Sequence, residues 1–108
     1  MGRGRALELL LSGEPITAAE AHRIGLVNAV VPQPELLNYS RAWLAKVLAN
    51  APLAVAMAME TVDVGLDAGI EEGLRLEAAS FGLCASTDDC REGTRAFLEK
   101  RKPAFAGK

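Results

Sequence analysis

Residues 12–32 read SGEPITAAEAHRIGLVNAVVP and hold a turn, a capped helix, a helix stop and a candidate strand in succession. Thr17 and Glu20 stand at capping-box spacing, in which the hydroxyl accepts from one free amide of the first turn and the carboxylate reaches back to another. A short helix is therefore predicted after Thr17. Gly25 supplies a residue that takes positive φ at a helix end. The run Leu26-Val27-Asn28-Ala29-Val30-Val31, stopped by Pro32, then predicts a short strand.

Upstream, Ala6, Leu7, Leu9, Leu10 and Leu11 crowd one short segment, so a helix over Arg3 to Ser12 is apolar around most of its circumference, with Gly13 as its stop. Glu8 interrupts the apolar run, which is too short for a signal core or a membrane span. Downstream, Pro34 suits a first-turn position, and Leu37, Leu44, Val47 and Leu48 recur at helical spacing. Trp43 is assigned a partly buried packing role. Asn50-Ala51-Pro52 breaks that helix and starts another over Pro52 to Leu66, with Ala54 and Ala58 on a small face and Met57 and Met59 as gap-filling core. Ile70, Leu74, Phe81 and Leu83 form the stripe of a fifth helix ending near Ala85. Thr87 caps the last, with Asp88 and Asp89 in its first turn, Lys100, Arg101 and Lys102 in its last, and Pro103 closing it. The predicted architecture is mainly α, a cluster of about six helices with one short strand that needs a pairing partner from elsewhere.

The chain has 108 residues, 50 % hydrophobic and 24 % charged, which suits one small unit burying roughly two-thirds of its unfolded surface. Twelve Lys and Arg against fourteen Asp and Glu leave no cation surplus for a phosphate backbone, so nucleic acid is excluded as a partner. Cys84 and Cys90 show no C-x-x-C pairing and no neighbouring His, which indicates no metal or redox site and fits reduced, cytoplasmic thiols. His22, the one histidine, reads as a solvated surface group.

The pattern S-G-x-x-I-x-A-x-E-A-x-x-x-G-L-V-N-x-V-V-P between Ser12 and Pro32 resembles the segment that follows the active-site region in the crotonase family of enoyl-CoA hydratases and isomerases. The run Ser86 to Phe105, STDDCREGTRAFLEKRKPAF, is similar to that family's closing helix. Two motifs in the right order at a suitable interval are far more specific than either alone. The resemblance covers essentially the whole chain but only the C-terminal part of a usual member. It implies that residues 1–32 continue an upstream core and that residues 33–108 form a helical assembly region. Family members continue upstream of Met1, so the apolar face of the first helix is expected to lack its natural cover.

Hydration of an enoyl thioester needs a carboxyl pair to deliver water and two backbone amides to hold the enolate oxygen. Asp88 and Asp89 are explained by capping and dipole, Glu71, Glu72 and Glu77 by a solvated flank, and Glu14 and Glu20 by a turn and a capping box. The resemblance places the family's catalytic glutamates and oxyanion hole upstream of this sequence, so no catalytic residue is assigned and the chain is expected to be inactive alone. It also implies a share of a coenzyme A site, usually across a subunit boundary, at Phe81 for adenine and Lys100 for the ribose phosphate. An aromatic face packs on adenine and an ammonium pairs with phosphate. Equally, Phe81 fits a core stripe and Lys100 a dipole-complementing last turn, and both readings stay open. Ala85, where some relatives carry a second aromatic, is a departure from the pattern. Gly93, in mid-helix, implies close packing by another backbone or a ligand.

The resemblance implies an acyl-CoA substrate, no metal or redox cofactor, no membrane, and a homo-oligomer built as a trimer or pair of trimers. The alternative is a non-catalytic helical module for self-association or partner binding. A small acyl-CoA-binding protein using Phe81 and Lys100 alone is a third, weaker reading.

Overall fold

A computed structural model describes all of residues 1–108, and caps or stops satisfy free backbone groups at several of its helix ends. The elements are α1 (Arg3–Ser12), α2 (Ala18–Arg23), a 3-10 turn (Gln33–Glu35), α3 (Leu36–Leu48), α4 (Pro52–Asp67), α5 (Ile70–Ala85) and α6 (Asp88–Leu98). They divide into two units, Met1–Ser40 and Arg41–Lys108, with the division inside α3.

In the first unit, Gly13 ends α1 at φ 65°, donating its N–H to the Leu9 carbonyl. Thr17 caps α2 by accepting from the Glu20 N–H at 3.1 Å. Only this half of the capping box forms, because the Glu20 carboxylate is taken by Arg23, at 2.6 Å from both Nε and Nη2, and by Arg5 at 3.5 Å. The guanidinium of Arg23 holds that carboxyl below its ordinary value. Behind α2, Gly25 at φ 76° and Leu26 donate to the His22 and Ala21 carbonyls, the paired bonds of a Schellman stop.

No strand forms over Leu26–Val31. The β-branched run supplies an extended preference but no partner, and a strand exists only through a neighbour's hydrogen bonds.

In the second unit, the Asn50 side chain donates to the Lys46 and Val47 carbonyls and closes α3. Helices α4 and α5 then form a close pair. A Cβ built on Gly73 would stand 3.6 Å from the Gly65 Cα, and Thr61 bonds Ser80 at 3.1 Å between the two helices. Thr87 caps α6 by accepting from the Cys90 N–H at 3.1 Å and turns its own O–H to the Cys84 carbonyl at 2.7 Å. Helix α6 stops at Leu98, short of the basic run, so Lys100, Arg101 and Lys102 lie beyond the last turn rather than in it.

The expectation of a well-buried core is overturned. Only Ala21, Ala96, Ser80 and Asp89 are buried, and Leu10, Leu11, Leu48, Leu66, Phe97 and Phe81 are each at least 75 % exposed. Met59 is 64 % exposed rather than core, and Trp43 is half exposed. Within each unit the helices carry more apolar face than they turn toward one another. No single helix is long and apolar enough to cross a membrane.

Candidate functional site

The second unit concentrates its tertiary polar contacts where the chain leaves α6 and doubles back along it. Asp89, Glu92, Gly93 and Ala96 recur at three- and four-residue intervals and so share one face of α6. Each meets the returning tail. The Asp89 carboxylate accepts from the Ala106 N–H at 2.7 Å and the Gly107 N–H at 2.8 Å, while its own N–H donates to the Lys108 carbonyl at 3.1 Å. Glu92 accepts from both terminal nitrogens of Arg101, at 2.6 and 2.9 Å, and from the Ala104 N–H at 2.9 Å. Arg101 first, and the Ala104 amide second, hold the Glu92 carboxyl down to about 2. Gly93 leaves room for the Phe105 ring, whose Cε1 would be 3.4 Å from a Cβ at that position. The close neighbour at Gly93 is thus a side chain rather than a second backbone.

The turn between helix and tail is a second Schellman stop. Lys100 donates to the Phe97 carbonyl at 3.2 Å and Arg101 to the Ala96 carbonyl at 3.0 Å. At the position that Gly25 fills behind α2 stands Lys100, at φ 53° the only non-glycine residue of positive φ. It is exposed and joined by no salt bridge. Arg101, by contrast, is committed inward to Glu92, Glu99 and the Lys102 carbonyl.

Between the start of α4, the end of α5 and α6 lies an apolar cavity of about 320 Å³, walled by Leu53, Phe81, Cys84, Cys90, Gly93 and Phe105 among others. Phe81 lines it while remaining 75 % exposed. Lys100 is not part of that wall. The structure therefore places Phe81 at a cavity and Lys100 at a turn, with no hydrogen bond joining them.

Asp88 pairs with Arg91, Asp89 spends both oxygens on the tail, and Glu71, Glu72 and Glu77 are exposed on α5. No cluster of His, Cys, Asp or Glu could hold a metal ion. His22 is exposed. The tail contacts of Asp89, Glu92 and Arg101 escaped the sequence reading, although all three lie within the Ser86–Phe105 motif. Only the motif could have flagged them, since helical periodicity does not connect position 92 with position 104.

The family model for enoyl-CoA hydratase/isomerase matches residues 1–108. Crotonyl-CoA hydratase of Syntrophomonas wolfei is 42 % identical over 108 residues, covering 100 % of this chain and 42 % of that protein. The short-chain-enoyl-CoA hydratase of Clostridium acetobutylicum is 40 % identical over 102 residues, covering 94 % of this chain and 39 % of that one. A crystal structure of enoyl-CoA hydratase from Bacillus anthracis is similar with a TM-score of 0.95 at 37 % identity, over 99 % of this chain and 42 % of that chain. The chain thus spans 39 to 42 % of the length of these relatives. Both motifs, the helices that join them and a match running from the first residue to the last place the chain in the enoyl-CoA hydratase/isomerase family.

Proposed function

We propose that this chain supplies subunit assembly and part of the coenzyme A site in a family enzyme that adds water to 2-enoyl-CoA thioesters. The reaction puts the water oxygen on C3 of the thioester and a proton on C2, so it is redox-neutral and is assigned no metal or redox cofactor. The chemistry falls to groups outside these residues, since every carboxylate considered above is exposed or engaged elsewhere. Phe81 packs on the adenine and Lys100 pairs with the ribose phosphate. The observation that carries this part is the state of Lys100, an exposed ammonium without an ion pair, on a backbone that favours glycine. Phe81 supports it with a ring 75 % exposed at the edge of an apolar cavity.

Hydration of crotonyl-CoA by the purified chain, shown to be helical by circular dichroism, is the test. Folded protein without turnover is the expected result. Turnover that depends on the chain would make one of its carboxylates catalytic and overturn the assignment.

A second reading, a non-catalytic helical module for self-association or partner binding, is favoured by the exposed apolar side chains, with Leu10, Leu11, Leu48, Leu66, Phe81 and Phe97 each at least 75 % exposed. The first reading places copies of this chain against one another as a homo-oligomer, a trimer or a pair of trimers; the second sets no subunit number. Titration with millimolar coenzyme A separates them, because heat that is lost in a Lys100→Ala variant belongs only to the first.

A further inference from the structure

We propose that Glu92 is a positioning residue for Lys100: by holding Arg101 and Ala104 against α6, its carboxylate fixes the chain reversal that presents the Lys100 ammonium to a phosphate of coenzyme A. This rests on the reading of Lys100 as a coenzyme A contact. Lys100, Arg101 and Lys102 are consecutive cations, and a flexible basic run would offer any of them to an anion. Glu92 sorts them. Its two oxygens meet the Arg101 fork at 2.6 and 2.9 Å, the bidentate geometry that fixes a guanidinium's direction as well as its place. With Arg101 drawn onto α6, Lys100 stands exposed at the reversal.

The reversal is secured on both sides of Lys100. On the helix side stand the bonds from Lys100 to Phe97 and from Arg101 to Ala96. On the tail side stands Glu92, which also takes the Ala104 N–H at 2.9 Å. A lysine in the left-handed region persists only where its surroundings over-determine the backbone, and Glu92 supplies the tail-side constraint. Freed from it, the segment after Leu98 would relax toward conformations that scatter the ammonium, and a phosphate contact would have to restore the order at a cost in affinity.

The test is titration of the 108-residue chain with adenosine 3′,5′-bisphosphate to millimolar concentration, followed by amide chemical shifts. Wild type is expected to saturate, and Lys100→Ala to bind more weakly. Glu92→Gln should weaken binding by about three- to tenfold with unchanged circular dichroism. Glu92→Asp, which keeps the charge, should recover part of the loss, and Glu92→Gln with Lys100→Ala should bind no more weakly than Lys100→Ala alone. Arg101→Gln breaks the same clamp from its other end and is expected to behave alike, so it decides the matter if Glu92→Gln does not fold. Unchanged affinity in Glu92→Gln and Arg101→Gln, or losses that multiply with that of Lys100→Ala, overturns the positioning role and leaves the Lys100 contact standing. A Lys100→Ala variant that binds like wild type, or wild type that never saturates, overturns the Lys100 contact and the positioning role with it.

Discussion

The carboxylate of Asp89, in the first turn of α6, accepts a 2.8 Å hydrogen bond from the backbone N–H of Gly107, eighteen residues further along the chain. Asp89 is only 3 % exposed, and its second oxygen takes the Ala106 N–H at 2.7 Å. Gly107 meets it at φ 74°, with the Pro52 ring 3.8 Å from where a Cβ would stand, so the tail runs between α6 and the first residue of α4. Truncation by Asp89→Ala leaves two part-buried amides without an acceptor, a loss of about 1–3 kcal/mol for each group left unsatisfied. The tail should detach before the helices melt. Amide exchange at Ala106 and Gly107 reports it, and protection equal to wild type would refute the latch.

Lys100 and Gly25 occupy equivalent places in two Schellman stops, and their substitutions should act with opposite signs. Lys100→Gly relieves the left-handed strain and should stabilise the second unit by about 1 kcal/mol while weakening coenzyme A binding. Gly25→Ala should destabilise the first unit by at least about 1 kcal/mol, because φ is 76° and the new Cβ would meet the Met1 nitrogen at 3.3 Å. Urea denaturation of the two variants reads both. A Lys100→Gly variant that is less stable than wild type would contradict the strain assignment.

Acid should open the Glu92 clamp within a defined window. The folded carboxyl is held down to about 2 from an ordinary 4.5, so in that interval the unfolded chain binds more protons and stability rises with pH. The contribution is complete above the ordinary value and is lost as pH falls through about 2. Arg101 and Ala104 amide shifts followed downward from pH 6 should hold through the ordinary carboxyl range in wild type and begin to move only as pH approaches about 2. In Glu92→Gln that transition should vanish, and its persistence would assign the event to another carboxyl.

Gly93 separates a small substitution from a large one. A Cβ there would stand 3.4 and 3.6 Å from the Phe105 ring, ordinary contact, so Gly93→Ala should recover about 0.5–1 kcal/mol of helix propensity and keep the tail docked. Gly93→Leu should displace Phe105 and expose the Ala106 and Gly107 amides. Thermal melts with amide exchange distinguish the two. Equal tail protection in both variants would show that Phe105 does not depend on the space that Gly93 leaves.

Local chemistry made most of the secondary structure legible. The ends of α1, α2 and α6 follow from Gly13, Thr17, Gly25 and Thr87, and each acts through atoms within a few residues of its own position. Prolines and the Asn50 side chain set the break between α3 and α4 in the same way. The two motifs carried the family, and with it Phe81 and Lys100 as candidate contacts.

What only the tertiary structure decided depends on partners distant in sequence. Leu26–Val31 has the composition of a strand, yet no second strand arrives to pair with it. Asp89 reads as a first-turn acid and Glu92 draws no reading at all, until a tail up to eighteen residues away folds back and gives each its role. The apolar stripes were visible in the sequence, but whether they meet one another or remain open is a matter of long-range packing. Backbone caps are nearest-neighbour interactions that a short window of sequence contains, whereas burial and chain reversal are sums over residues that no window brings together.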